Sequence, residues 1–192
     1  MPEKESKRLF IAIPFRTDAA FAQKFNRMRS CTCKLDRANW VNPSLFHLTL
    51  KFLGETDVDR IPGICIALRE ALKGQLPFEF LLDKVGAFGS RYQPRVLWLG
   101  SEETPPEMLA LHRRVDKQLA KAGFPRTFGN FVCHLTLARI NYIDSKKYFW
   151  EQLDSHVRLF SERVSVNEVI LYESLLQKGR APQYIALEKF TL

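Results

Sequence analysis

The chain has 192 residues, of which 46% are hydrophobic and 12% aromatic, fifteen of them Phe, enough to pack the interior of one domain. No run of about 18 apolar residues occurs, so a membrane-spanning helix is not expected. Lys and Arg number 29 against 21 Asp and Glu, a net charge of +8, and they are scattered along the chain without forming a tail. That pattern suits a basic rim around a polyanion site, and charge alone does not separate this from plain solubility.

The N-terminal stretch MPEKESKRLFIAIPFR has a charged lead and a brief apolar run. Pro14 and Arg16 end the run and no small-residue cleavage site follows, so no signal peptide is expected. Cys31, Cys33, Cys65 and Cys133 fit a reducing cytoplasm better than a disulfide framework. Cys31-x-Cys33 has no CxxC partner or clustered His beside it, so neither zinc nor another cofactor is expected.

In chain order, LFIAIPF (9–15) reads as a strand, and the spacing of Phe21, Phe25 and Met28 predicts a helix over 18–30. Residues 45–53 predict a strand, 57–74 a helix ended near Gly74, and FEFLLDKVGAF (78–88) a strand. A second round then begins. RVLWLG (95–100) predicts a strand, 105–122 a helix with Pro105 and Pro106 at its start, and 132–140 a strand. A helix over 144–157 and strands over 166–175 and 183–190 complete it.

The two rounds run in register at a shift of 87 residues, which carries Arg8 to Arg95, His47 to His134, Asp57 to Asp144 and Phe80 to Asn167. Element order and spacing therefore predict an internal duplication within a single domain spanning 1–192. The expected fold is α+β and bilobal: two pseudo-symmetric β-α-β-α-β lobes, 8–88 and 95–175, with a closing strand and antiparallel-rich sheets facing a central cleft.

The repeat is most legible in FHLTLKF (46–52) and CHLTLAR (133–139), which hold two of the four histidines. On a strand, side chains alternate between faces, so His47 and Thr49 share one face, Leu48 and Leu50 the other. The same holds for His134 and Thr136 against Leu135 and Leu137. A duplicated lobe with its leucines inward then presents two imidazoles and two hydroxyls to a common cleft. Histidine titrates near pH ~6.5, so one neutral and one protonated ring can coexist. One takes a proton from an attacking oxygen while the other protonates a leaving one, and each such transfer contributes ~10²–10⁴-fold. The hydroxyls can donate to non-bridging phosphate oxygens. This is what cleavage of a phosphodiester needs, without a metal. A single HxT in a strand would ordinarily be packing and β-propensity.

WVNPSLFHLTLKFLGE (40–55), VLWLG (96–100) and HLTLAR (134–139) together resemble the 2H phosphoesterase superfamily, and within it the RNA 2′,3′-cyclic phosphodiesterases, also called 2′-5′ RNA ligases or ThpR/LigT-like proteins. The resemblance runs from RLFIAIPF to VILYESLL, nearly the whole chain. It implies an enzyme that opens a terminal 2′,3′-cyclic phosphate on RNA to leave a 2′-phosphate, with His47 as proton donor, His134 as proton acceptor, and Thr49 and Thr136 as phosphate-binding partners. It implies RNA ends or related nucleotides as the partner, with no membrane and no obligate protein partner. Spacing alone cannot orient the two histidines. Relatives often place a proline before the second HLTL, where this chain has Val132 and Cys133. Three alternatives stay open: 2′-5′ ligation in the same cleft, a non-catalytic RNA-end binder, and a hydrolase of cyclic nucleotides or ADP-ribose cyclic phosphate.

Arg139 is a further candidate for phosphate, but strict alternation puts it opposite His134, so reaching the cleft needs a bulge or the strand's end. Arg8, Phe10 and Arg95 are candidates to line the cleft, Arg126 and Lys51 to form a basic rim, and Trp40 and Trp98 to stack on a base. For Trp98 core packing is the better reading. His112 and His156 on helices read as structural, and Lys146–Lys147 as a solvated helix face.

Overall fold

The computed structural model describes residues 5–31, 37–156, 159–177 and 181–192. The first repeat contains β1 (Ser6–Pro14), α1 (Ala19–Cys31), β2 (Arg37–Trp40), β3 (His47–Asp57), α2 (Ile61–Leu72), β4 (Phe78–Leu82) and β5 (Lys84–Ser90). The second contains β6 (Gln93–Gly100), α3 (Pro106–Lys121), β7 (His134–Tyr142), α4 (Lys146–His156), β8 (Glu162–Val166) and β9 (Glu168–Leu175), and β10 (Gln183–Thr191) follows. Each helix forms where the sequence repeats apolar residues every three or four positions. In α2 the buried set is Ile64, Cys65, Ala67, Leu68, Ala71 and Leu72. Pro62 sits in its first turn, where a missing N–H costs nothing, and Gly74 at φ 70° turns the chain away. The paired Cys31-x-Cys33 considered above lies outside the described side chains.

The fold is α+β and its strand pairs are antiparallel. One sheet runs β10-β9-β1-β3-β7-β6-β5, with β2 added along β7, and β4 pairs with β8 as a separate ribbon. The predicted strand 78–88 is two strands. It breaks at Asp83, whose N–H bonds Gly100 O at 2.9 Å, so that β4 joins β8 while β5 joins β6. β2 and β8 were not foreseen: four- and five-residue strands carry too few positions for period-two patterning to show.

Strand pairing crosses the repeat boundary. β5, from the first repeat, lies against β6 of the second, and β9, from the second, lies against β1 of the first. The two halves meet where Leu48 on β3 faces Leu135 on β7. Leu48, Leu50, Leu135 and Leu137 are all buried in the core with residues of the helices. Burying each such side chain contributes about 1.5–3 kcal/mol. A one-residue slip would expose all four and bury the imidazoles, so the register of the twin motif is firmly fixed.

Both central strands carry the same irregularity. Ile11 faces Lys51 and Ala12 faces Thr49, which leaves Leu50 as an extra residue. Leu97 faces Ala138 and Trp98 faces Thr136, which leaves Leu137 extra at the equivalent place. The freed carbonyls are satisfied differently: Leu50 O accepts from His112 Nδ1 at 3.0 Å, and Leu137 O from the Val41 N–H at 2.9 Å. A bulge of one residue reverses the alternation beyond it. Lys51 and Ala138 therefore turn inward, and Phe52 and Arg139 turn out beside the histidines. The outer strands correct the repeat register: Phe10 faces Phe52 and Val96 faces Arg139, a shift of 86, so Arg8 is not the counterpart of Arg95.

Candidate active site

His47 and His134 open their strands in matching ways. A 3-10 turn at Pro43–Leu45, with Asn42 Oδ1 accepting from Ser44 N at 3.1 Å, aims the Leu45 carbonyl back at His47 Nδ1, 2.8 Å away. Val132 O stands 2.8 Å from His134 Nδ1. Leu45 and Val132 are themselves 87 positions apart, so the second strand keeps the same backbone path without a preceding proline. A carbonyl only accepts, so each Nδ1 carries its proton and each Nε2 is the position free to exchange one. Extending the antiparallel register from Leu48 and Leu135 sets His47 level with Thr136 and Thr49 level with His134. The two histidines are then diagonal neighbours, roughly 7–8 Å apart or more at the backbone, with the two threonines between them on the same face.

Each ring has its own aromatic wall. Phe10 lies 5.0 Å from His47 and Tyr184 meets it edge-on at 5.2 Å. Phe88 meets His134 edge-on at 4.7 Å, with Trp98 at 6.5 Å. The Trp98 indole lies over Gly86 and Gly100, where any Cβ would collide with it. Its buried Nε1–H has no acceptor among the described residues, a free donor beside His134.

Comparisons with known proteins bear on the family and the fold. The family profile of LigT-like phosphoesterases matches residues 17–98 and again 99–182. The chain belongs to the LigT-like phosphoesterase family. The RNA 2′,3′-cyclic phosphodiesterase of Thermotoga maritima is 34% identical over 139 residues, 72% of either chain. That of Aquifex aeolicus is 32% identical over 154 residues, 80% of this chain and 81% of its own. Among solved structures, a Thermus thermophilus protein superposes with a TM-score of 0.75 at 26% identity, covering 96% of this chain and 97% of that one. Escherichia coli LigT complexed with 3′-AMP shares the fold, with a TM-score of 0.72 at 24% identity over 98% and 99% of the two chains. The two back-to-back family matches also state the duplication directly.

Electrostatics in this LigT-like site hold both imidazoles below their ordinary pKa. Burial is the main cause at each. The backbone carbonyl partner opposes it, and the positive charge of Arg139 adds to it at both rings; at His47 the neighbouring His134 acts in the same direction. Arg139 is thus close enough to act on both histidines, and the Leu137 bulge is the device that brings it there. Tyr184 and Tyr172, half-buried beside Phe10, have their phenols pushed up, first by desolvation.

The other candidates divide. Phe10 is buried, packed against His47 and stacked on Tyr172 at 5.1 Å, so it backs the imidazole and does not face open space; Arg8 is near enough to bear on Tyr184. Arg95 is exposed and is the extra residue where β6 slips against β5, since Phe88 faces Val96 and Gly89 faces Pro94. Lys51 is no rim residue. It is buried against Asp116 at 2.5 Å and Pro125 O at 2.7 Å, because the bulge turned it inward, and Arg126 pairs with the same Asp116 at 2.7 Å. His112 holds the bulge and stacks on Phe131, and His156 is buried on Gln152 O at 2.7 Å. Trp40 packs edge-on against Phe25 at 5.5 Å. Lys147 pairs loosely with Glu151 on an exposed face. Sequence reasoning missed Phe52, Phe88 and Tyr184. The shift of 87 pairs Phe52 with Arg139, so the first could have been found once the bulge was known.

Proposed function

We propose that this chain hydrolyses terminal 2′,3′-cyclic phosphates on RNA to 2′-phosphomonoesters by acid–base catalysis between His47 and His134, using only its own side chains. The supporting observation is the pair of Nε2 atoms left free on one sheet face by two equivalent Nδ1–carbonyl bonds. The names of the relatives supply the substrate class. In this reading a water attacks phosphorus and gives its proton to His134 Nε2. The P–O3′ bond breaks as O3′ takes the proton of His47 Nε2, leaving a 3′-hydroxyl and a 2′-phosphate. Solvent exchange then restores the two rings. Thr49 and Thr136 donate to the non-bridging oxygens, and Arg139 balances the developing charge.

The two halves are not alike, which supports this orientation. The His47 half ends in Phe52, 66% exposed and 6.1 Å from Phe10, an open face on which a base can lie. The nucleoside, and with it the leaving O3′, then belongs beside His47, and the water beside His134. Replacing Phe52 by Ala should raise KM by roughly 5- to 100-fold with kcat little changed, since one stacked base is worth ~1–3 kcal/mol. Phe52→Tyr should restore it, and a fall in kcat with unchanged KM would remove Phe52 from this role.

An oligonucleotide with a 2′,3′-cyclic end, incubated with the protein in EDTA, tests the whole reading. A 2′-phosphate is expected. A 3′-phosphate would reverse the polarity, an absolute need for added divalent ions would defeat the mechanism, and a 2′-5′ joined product with 5′-hydroxyl RNA would point to ligation. The pH dependence is a second test. One ring must be neutral and one protonated, and both are held below the usual ~6.5, so the kcat/KM bell of the free enzyme should centre below that value. Arg139→Ala removes a charge that lowers both pKa values. Its bell should therefore move to higher pH as well as fall in height, and a lowered bell at unchanged pH would show that Arg139 acts elsewhere.

A further inference from the structure

Beyond the catalytic pair β7 continues, with β2 alongside it. Asn39 lies directly across from Arg139, and Arg37 across from Tyr142. Cross-strand partners project from the same face. Trp40 with Ala138 and Ala38 with Ile140 take the core face: Ala138 and Ile140 are buried, and Trp40 packs on Phe25. The cleft face is left with Asn39, Arg139, Arg37 and Tyr142, all exposed to solvent. Two guanidiniums, an amide and a phenol thus form a strip that starts at the histidine pocket and leads away from it.

We propose that this strip is a track for the RNA strand on the 5′ side of the terminal cyclic nucleotide, with Arg37 on the first internucleotide phosphate and Tyr142 stacked on the preceding base. The proposal rests on the pocket being a site for 2′,3′-cyclic ends. In such an end both O2′ and O3′ are tied into the phosphate between the imidazoles, so the rest of the strand leaves through the 5′ oxygen and must cross a neighbouring surface. A guanidinium matches a phosphate in shape and charge, and a phenol ring accepts any base. The corresponding run of β3 past Phe52 offers no such track: it passes through Gly54 to Glu55, which faces Arg8 across the strand pair and carries the charge a phosphate would meet. Neither Arg37 nor Tyr142 has a part in the chemical step, so the strip sets which substrates bind well and leaves the bond cleavage alone.

The test compares a 2′,3′-cyclic mononucleotide with a trinucleotide ending in the same cyclic nucleotide. The trinucleotide should have a kcat/KM about tenfold or more higher. Arg37→Ala and Tyr142→Ala should each remove most of that advantage while leaving mononucleotide turnover unchanged. The logarithmic salt dependence for the trinucleotide should be steeper by about 0.7 per phosphate held, and Arg37→Ala should flatten it by that amount. Equal kcat/KM for the two substrates, or variants that weaken both alike, would overturn the track. A second readout is independent of turnover: anisotropy of a fluorescent trinucleotide bearing a 2′-phosphate end, against the mononucleotide 2′-phosphate as competitor. If neither cyclic substrate is opened but the trinucleotide binds tighter and Arg37→Ala abolishes the difference, the catalytic reading fails and the track stands. If cleavage proceeds and no difference in binding exists, the track fails alone.

Discussion

Alanine at either His47 or His134 is expected to lower turnover of a 2′,3′-cyclic RNA end by roughly 10²–10⁴-fold, with kcat falling far more than KM rises. The pair works as a relay, so the double variant should be only slightly worse than either single one. Both rings are half-buried and each is tied to a backbone carbonyl. Circular dichroism and a melting curve on each variant therefore accompany the assay, and His→Gln, which keeps a polar side chain of similar reach, separates lost chemistry from lost packing. Substrate binding should persist in all of them. Turnover within threefold of the parent in either variant would remove that histidine from the proton-transfer step.

Much of this was written in the chain. Alternation along HLTL places His47, Thr49, His134 and Thr136 on one face because the leucines between them have strong reason to be buried, and the structure buries all four leucines. The helices were legible from their periodicity and their proline and glycine ends. What failed were features set by strand partners, which sequence does not display. In FEFLLDKVGAF (78–88) the charged Asp83 and Lys84 mark the place where β4 gives way to β5, but nothing in the stretch says that the two would pair with different strands. The bulges at Leu50 and Leu137 were invisible as well, and with them the inward turn of Lys51 and the outward turn of Phe52. For Arg139 the need for a bulge could be stated in advance, though its existence could not. Lys51 was misjudged for a physical reason: a lone Lys in a strand is ordinarily solvated, and its buried partner Asp116 lies 65 residues away on α3.

That pair gives the second large expectation. Asp116→Ala should destabilise the fold by about 3–5 kcal/mol, because it leaves the Lys51 ammonium buried without a counter-charge. For a chain of this size the melting temperature should drop by on the order of 10 °C. Asp116 also holds the loop leading to β7, through Thr127 N and Thr127 Oγ1, both at 2.9 Å. Burial pushes its carboxyl up, but the bonds from Lys51 and Thr127 outweigh that and hold it at about 2. A carboxyl depressed in the folded state contributes stability above its unfolded pKa of about 3.8, and loses it as pH falls through about 2. The parent should therefore lose stability across that window, and a variant carrying both Asp116→Leu and Lys51→Met should lose less of it. A melting temperature unchanged in Asp116→Ala would mean that water reaches Lys51 and the ion pair does little.

The crossing of β5 and β9 between the repeats bears on how such a molecule forms. A polypeptide severed between Ser90 and Gln93 would yield two pieces, the first with β5 and β1 stripped of their neighbours β6 and β9, the second with β6 and β9 stripped of β5 and β1, and each with unsatisfied edges. The halves resemble a domain-swapped dimer whose protomers were fused in tandem. Neither is completed until the far end of the other arrives, so the ordering of this sheet waits on contacts between remote parts of the chain, and folding should be slow for its length.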